Sequence, residues 1–243
     1  MTPIIGEFLG TLFLIILGGG VVANVLLDRS KGQQGGWITV TAGWGIAVMV
    51  GVFVAQSFGS PNADLNPAIS LARHIATGSY TLPQMLAMQL AQLCGAFVGA
   101  VIVWLAYLPH WRVTEDPLVK LLVFSTQPAI RNYSCNLLNE IIGTAVLVIG
   151  VAAIFGPATK NGMVPLGVGP YLVGMLVWGI GLSLGGPTGY AINPARDLGP
   201  RIAFAILPLG EKGPSDWPYA WVPVIGPLLG AIIGAIFWKM LNG

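Results

Sequence analysis

The sequence predicts an all-α membrane protein, with six transmembrane helices and two re-entrant half-helices arranged as an inverted repeat. Three observations predict it. The 243 residues are 55% hydrophobic and only 8% charged, where a soluble domain carries about 25% charged residues. Six stretches are long and apolar enough to cross a bilayer. Two further apolar pieces are too short to cross, and each opens on the same triplet, Asn-Pro-Ala.

A span needs about 20 mainly apolar residues. The first runs near Pro3–Leu27, and the polar loop Asp28–Gly36 follows it. No basic segment precedes this stretch and it is long enough to span, so it reads as a helix and not as a cleaved leader. The second span lies near Trp37–Phe58 and the third near Pro83–Leu108. Pro109–Ser134 reads as a longer polar loop. The fourth span, near Asn136–Phe155, is joined through Gly156–Val164 to the fifth, near Pro165–Leu184. Pro208–Asp216 then leads to the sixth, near Trp217–Leu241. The two short pieces are Pro67–Gly78 and Pro194–Leu207. As helices they would extend roughly 18–21 Å, against a hydrocarbon core of about 30 Å. Each therefore enters only partway. Irregular backbone at that depth is tolerated where protein buries it or water lines it, so the pair suggests a pathway.

The halves of the chain resemble each other. Glu7-Phe8-Leu9-Gly10-Thr11 is echoed by Glu140-Ile141-Ile142-Gly143-Thr144, Gly95 and Gly99 by Gly226 and Gly230, and Asn66-Pro67-Ala68 by Asn193-Pro194-Ala195, each about 130 residues apart. Three spans per half is an odd number, so the second half enters from the opposite face. This predicts a single domain over residues 1–243, built of inverted repeats at about 1–108 and 135–243, an architecture known in transporters. The Gly-x-x-x-Gly pairs read as close helix crossings.

Asn is a strong helix N-cap, and Pro suits the first helical position because its missing N–H would lack a partner there anyway. Asn-Pro-Ala is therefore a compact helix start. Two such starts from opposite faces bring two helix N-termini together near the midplane, each carrying roughly half a positive charge. If each carboxamide oxygen caps its own helix, its NH₂ is free to donate into a lumen. Asn66 and Asn193 would then select neutral hydrogen-bonding solutes and oppose cations.

Glu7 and Glu140 are symmetric carboxylates within spans, and acids there are functional candidates. They read either as a proton-coupling pair or as acceptors that pin the backbone of the re-entrant loops; the symmetry favours the scaffold. The net charge of +2 is too small to point to nucleic acid. His74 and His110 stand alone, so neither a metal site nor a cofactor nor an enzyme is expected. Two cysteines make no disulfide framework, and Cys94, inside an apolar run, reads as a small packing residue.

On these motifs nearly the whole chain resembles the aquaporin, or major intrinsic protein, superfamily, and within it the glycerol-facilitator branch, the aquaglyceroporins. Asp197 directly after Asn193-Pro194-Ala195-Arg196, and the stretch VFSTQPAI at residues 123–130, are similar to that branch. The resemblance implies a homotetramer in a bilayer with one pore per subunit. It implies a passive channel for glycerol and other small neutral solutes, with some water, excluding protons and ions. It places a selectivity filter at Trp44, Gly181, Tyr190 and Arg196, with Trp44 and Tyr190 as an apolar wedge facing the arginine. It gives Glu7, Glu140 and Asp197 supporting roles. By position the lumen carbonyls would come from Asn62, Ala63, Asp64 and Leu65, and from Gly189, Tyr190 and Ala191.

The chain departs from the family pattern in two places. Asp64 stands where a His is usual, which raises either a pH-dependent flux or a loop-stabilising acceptor. Tyr190 replaces a Phe, and its hydroxyl either narrows the filter or adds a hydrogen bond. Orientation is also in conflict. The resemblance implies cytoplasmic termini, whereas the count of loop Lys and Arg, including Lys120 and Arg201, points the other way. The short termini fit a bacterial inner membrane. A channel mainly for water, urea or lactic acid, or a proton-coupled transporter, remains an alternative.

Overall fold

The computed structural model describes residues 2–156 and 165–242. The described residues are helical, without strands. The first half runs α1 (Pro3–Leu26), α2 (Gly36–Ser57), α3 (Pro67–Thr77) and α4 (Leu82–Ala106). Two short helices follow, α5 (Leu108–Val113) and α6 (Pro117–Phe124). The second half runs α7 (Tyr133–Phe155), α8 (Gly169–Leu184), α9 (Pro194–Ile206) and α10 (Val222–Asn242). Helices α1, α2, α4, α7 and α10 are long and apolar enough to cross a membrane, and α8 is a shorter apolar helix of 16 residues.

Local chemistry sets the ends. Thr81 and Gln84 form a reciprocal capping box that starts α4, and Asn132 caps α7. Gly78 takes the left-handed conformation that ends α3, with φ of 63°. The stretch read as a plain loop, Pro109–Ser134, instead holds α5 and α6. Pro109 and Pro117 sit at first-turn positions, and the Asp116 side chain accepts from the Leu118 N–H to start α6. The sixth span starts later than expected, because residues 217–221 form turns before α10. The fifth span begins with a short 3-10 turn, Leu166–Val168. The expected connection Gly156–Val164 lies, beyond Gly156, outside the described residues.

Packing follows one plan in both halves. Helix α1 packs on α2 and α4, and α7 packs on α8 and α10. The half-helices cross over: α3 lies on α10 and α9 on α4, while α2 and α8 pack across the middle. The glycine pairs are the close crossings the spacing suggested. A β-carbon at Gly99 would sit 2.7 Å from the Leu12 carbonyl oxygen, and one at Gly230 would sit 2.5 Å from that of Ile141. This arrangement buries both half-helices at the centre, and turns large apolar side chains such as Ile38, Leu90 and Met240 outward.

Two expectations change here. Cys94 is exposed on the outer face of α4 rather than packed inside. Lys120 and Arg201 are buried, so they are internal charges and do not belong in a count of loop charges. The Lys120 ammonium is spent on the carbonyls of Leu209 and Glu211.

Candidate functional site

The two Asn-Pro-Ala starts meet. Asn66 Oδ1 accepts from the Ala68 N–H at 2.8 Å, and Asn193 Oδ1 accepts from the N–H groups of Ala195 and Arg196 at 3.0 and 3.2 Å. Pro67 and Pro194 sit at the first helical positions, and Ala68 and Ala195 are fully packed. From sequence the carboxamide nitrogens are free for the lumen, and here they are only partly so. Each reaches across to the other loop: Asn66 Nδ2 donates to the Ile192 carbonyl at 2.7 Å, and Asn193 Nδ2 to the Leu65 carbonyl at 2.8 Å. A carboxamide nitrogen carries two N–H donors. Each asparagine thus retains one while lining a central cavity of about 70 Å³.

The buried glutamates shape the backbone of both loops. Glu7 accepts from the N–H groups of Asp64 and Leu65 at 2.9 and 2.8 Å, from Ser60 Oγ at 2.6 Å and from Gln92 Nε2 at 2.7 Å. Glu140 accepts from the N–H groups of Ala191 and Ile192 at 3.0 and 2.8 Å and from Thr188 Oγ1 at 2.7 Å. In a trans peptide the C=O points opposite to the N–H of the same plane. Two consecutive N–H groups aimed at a glutamate therefore send two consecutive carbonyls the other way. Those are Ala63 and Asp64 in one loop and Tyr190 and Ala191 in the other, and all four residues line the cavity. The geometry is strained, with φ of 45° at Ala63, 51° at Leu65, 39° at Tyr190 and 43° at Ile192. Non-glycine residues in that region cost about 1–3 kcal/mol each. The carboxylates hold the loops there.

Of the other carbonyl positions expected, Leu65 and its counterpart Ile192 spend theirs on the asparagines, and Ile192 was not anticipated. Asn62 lines the cavity. Gly189 does not; it belongs to the wall of a wider outer vestibule.

The vestibule and the inner cavity share three residues, Trp44, Tyr190 and Arg196. These stand at the boundary between the two spaces. Arg196, in the first turn of α9, makes no side-chain hydrogen bond to the described residues, and its guanidinium lies 4.0 Å from the centre of the Trp44 ring. Trp44 therefore stacks on the arginine instead of facing it across the opening. The cause is direct: a guanidinium with no ion-pair contact among the described residues is stabilised by the face of an indole. Tyr190 packs edge-on to Trp37. Its hydroxyl is buried without a hydrogen-bond partner among the described residues, beside Gly181. Gly181 stands directly behind the Tyr190 ring, where a β-carbon would lie 2.7 Å from Tyr190 Cζ. It makes the space that the Tyr190 ring fills.

Asp197 supports this region from behind. It accepts from the Thr126 N–H and Oγ1 at 2.8 and 2.7 Å and from Arg201 Nε and Nη2 at 2.8 and 3.1 Å. Asp64 is likewise engaged. It pairs with Arg73 Nε at 2.8 Å and accepts from Ser70 Oγ and Tyr80 Oη at 3.0 and 2.9 Å. These contacts make Asp64 an acceptor for donors of α3 and of the segment that follows it.

The major intrinsic protein family matches residues 1–238. The chain belongs to that family. A probable glycerol uptake facilitator protein of Thermotoga maritima is 53% identical over 226 residues, which is 93% of this chain and 93% of that protein. A D/L-lactic acid transporter of Lactiplantibacillus plantarum is 40% identical over 219 residues, 89% of this chain and 87% of that one. Among solved structures, the aquaglyceroporin from Plasmodium falciparum aligns with a TM-score of 0.83 at 30% identity, covering 97% of this chain and 94% of that chain. As a major intrinsic protein the chain is an integral, multi-pass membrane protein and a channel, not an enzyme.

Several residues of this major intrinsic protein were not singled out from sequence. Ser60, Gln92 and Thr188 complete the glutamate nests, and Thr126 and Arg201 complete the Asp197 network. Gln92 carried a signal, since a polar amide inside an apolar span needs an internal partner. The glutamate nests also yield a prediction. Glu140→Ala strands the N–H groups of Ala191 and Ile192, at about 1–3 kcal/mol for each unsatisfied buried donor. We expect a clear drop in melting temperature in detergent and loss of solute flux, while Glu140→Gln, which retains an acceptor oxygen, loses less. Equal melting curves for wild type and Glu140→Ala would rule the scaffold role out.

Proposed function

We propose that the chain is a passive channel for glycerol and other small neutral solutes, with some water, and that it excludes protons and ions. One observation carries this reading: Trp44, Tyr190 and Arg196 bound both the vestibule and the inner cavity. Glycerol has a hydrocarbon face and a hydroxyl face. The Tyr190 ring takes the first, and the guanidinium, backed by Trp44 and with its fixed fork of N–H donors, takes the second. Past this point the hydroxyls meet acceptors at the carbonyls of Tyr190, Ala191, Ala63 and Asp64, and donors at the remaining N–H groups of Asn66 and Asn193. The abutting helix N-termini and Arg196 oppose cations on the same path.

The repeat of nests, caps and packing supports one domain of two inverted repeats. The outward apolar side chains fit lipid and neighbouring copies in a homotetramer, and the bacterial relatives named above fit a plasma membrane. Both oxygens of Glu7 and of Glu140 are engaged by loop donors and, at Glu7, also by Gln92 of α4, which favours a channel over a proton-coupled carrier.

The test is stopped-flow light scattering on proteoliposomes. A glycerol gradient should give rapid shrinkage and re-swelling, with low activation energy and no conductance. Water flow without glycerol entry would mean that Tyr190 closes the constriction to polyols. Faster entry of lactic acid or urea than glycerol would move the substrate accordingly. Saturable uptake driven by a proton gradient would make the chain a carrier.

A further inference from the structure

A second arginine stands on the wall of the same cavity. Arg73 lies about 9 Å along α3 from Pro67, at 1.5 Å per residue. It lines the central cavity and takes no part in the vestibule wall. It is 9% exposed, against 8% for Arg196. The two guanidiniums share a setting as well. Arg196 lies over Trp44, and Arg73 lies over the buried Trp238 of α10, 5.1 Å from the ring centre.

The hydrogen bonding of Arg73 leaves donors to spare. Asp64 takes its Nε at 2.8 Å, and neither terminal nitrogen bonds to another described residue. Asp64 is in turn held by Ser70 and by Tyr80, whose hydroxyl also accepts from Asn62 Nδ2 at 2.9 Å. The arginine is thus fixed at one edge by an anchored carboxylate and on one face by an indole, and its far edge is left over. A buried ion pair adds little net stability compared with well-packed apolar residues. Stability alone therefore gives no reason to keep such a pair beside a lumen.

We propose that Arg73, anchored by Asp64 and backed by Trp238, is a second solute-selecting residue on the conduction path. It lies on the side of the paired asparagines away from the vestibule, donates to the hydroxyls of a small polyol, and repels cations. This rests on the channel reading above. A polyol then meets a guanidinium both before and after the asparagines, and Arg73 cancels the attraction that Asp64 alone would exert on cations.

The experiment compares wild type with Arg73→Met, Arg73→Lys and the double variant Asp64→Asn/Arg73→Met in proteoliposomes, at matched amounts of inserted protein. It reads the glycerol-to-water permeability ratio and, with a potential-sensitive dye, potassium leak. Arg73→Met should lower the ratio at least threefold and open a leak, because Asp64 is left bare. The double variant should lose the leak and keep the low ratio. Arg73→Lys keeps the charge but not the planar fork, so it should stay tight with an intermediate ratio. A wild-type ratio in both the double variant and Arg73→Lys overturns the proposal. So does an equal loss of both fluxes in every variant, which marks a purely structural pair. If Arg73→Met fails to insert, the other two variants decide alone. If wild type passes no glycerol, the channel reading fails first, whatever the variants do.

Discussion

Asp197→Ala should nearly abolish folded, flux-competent protein. Asp197 and Arg201 are both fully buried, and the carboxylate holds two N–H donors of the guanidinium together with the backbone N–H and hydroxyl of Thr126. Removing it leaves a buried cation with only carbonyl partners, at Thr126, Ser215 and Asp216. Stranding one member of a buried pair costs about 3–5 kcal/mol, against a total stability of roughly 5–15 kcal/mol for a typical protein. The same change frees the Thr126 loop from α9, whose first turn carries Arg196. We expect a melting temperature in detergent far below that of wild type, little monodisperse protein, and no glycerol flux from what remains. The double variant Asp197→Ala/Arg201→Met should recover much of the melting temperature, because no uncompensated charge stays inside. If the effects of the two single variants simply add in the double variant, the pair is not coupled.

Sequence showed this architecture well and the wall of the pathway less well. Asn66-Pro67-Ala68 and Asn193-Pro194-Ala195 were legible because cap chemistry is local: the residue that caps is beside the residues it caps. Glu7 and Glu140 were legible through symmetry, and the nests they form are the scaffold alternative. Half-helix bounds held to within a residue, since Gly78 and Leu207 end the helices where the apolar pieces end. What failed to show was azimuth. Apolar length says that α8 lies in the membrane, but not that Gly181 abuts the Tyr190 ring, or that Trp44 stacks on Arg196. Partners distant in sequence were hidden for the same reason. Arg201 counts as a loop charge in the sequence, and only the fold brings Asp197 and Thr126 around it. Helices α5 and α6 were missed because their prolines read as loop residues, although proline in a first turn starts a helix as readily as it ends one.

Gly181 makes the sharpest prediction about selectivity. A β-carbon there would lie 2.7 Å from Tyr190 Cζ, 2.8 Å from Tyr190 Oη and 2.9 Å from Thr41 Cγ2. Something must move, and α8 is poorly placed to do so. The Gly181 carbonyl is held by Trp37 Nε1 at 3.0 Å, and α8 meets α2 backbone to backbone, where a β-carbon at Gly174 would sit 2.6 Å from the Gly45 oxygen. The Tyr190 ring therefore yields, and the open direction is the constriction it shares with Trp44 and Arg196. Gly181→Ala should cut glycerol permeability at least tenfold, an added barrier of about 1.4 kcal/mol. Gly181→His, with a whole ring to place, should remove measurable glycerol entry. Water needs less width, so osmotic shrinkage should survive in both. Adding Tyr190→Leu to Gly181→Ala takes away the ring that is being pushed, and should return glycerol flux toward wild type. A Gly181→Ala channel with undiminished glycerol flux would show that Tyr190 does not set the width, and the boundary would then rest on Trp44 and Arg196 alone.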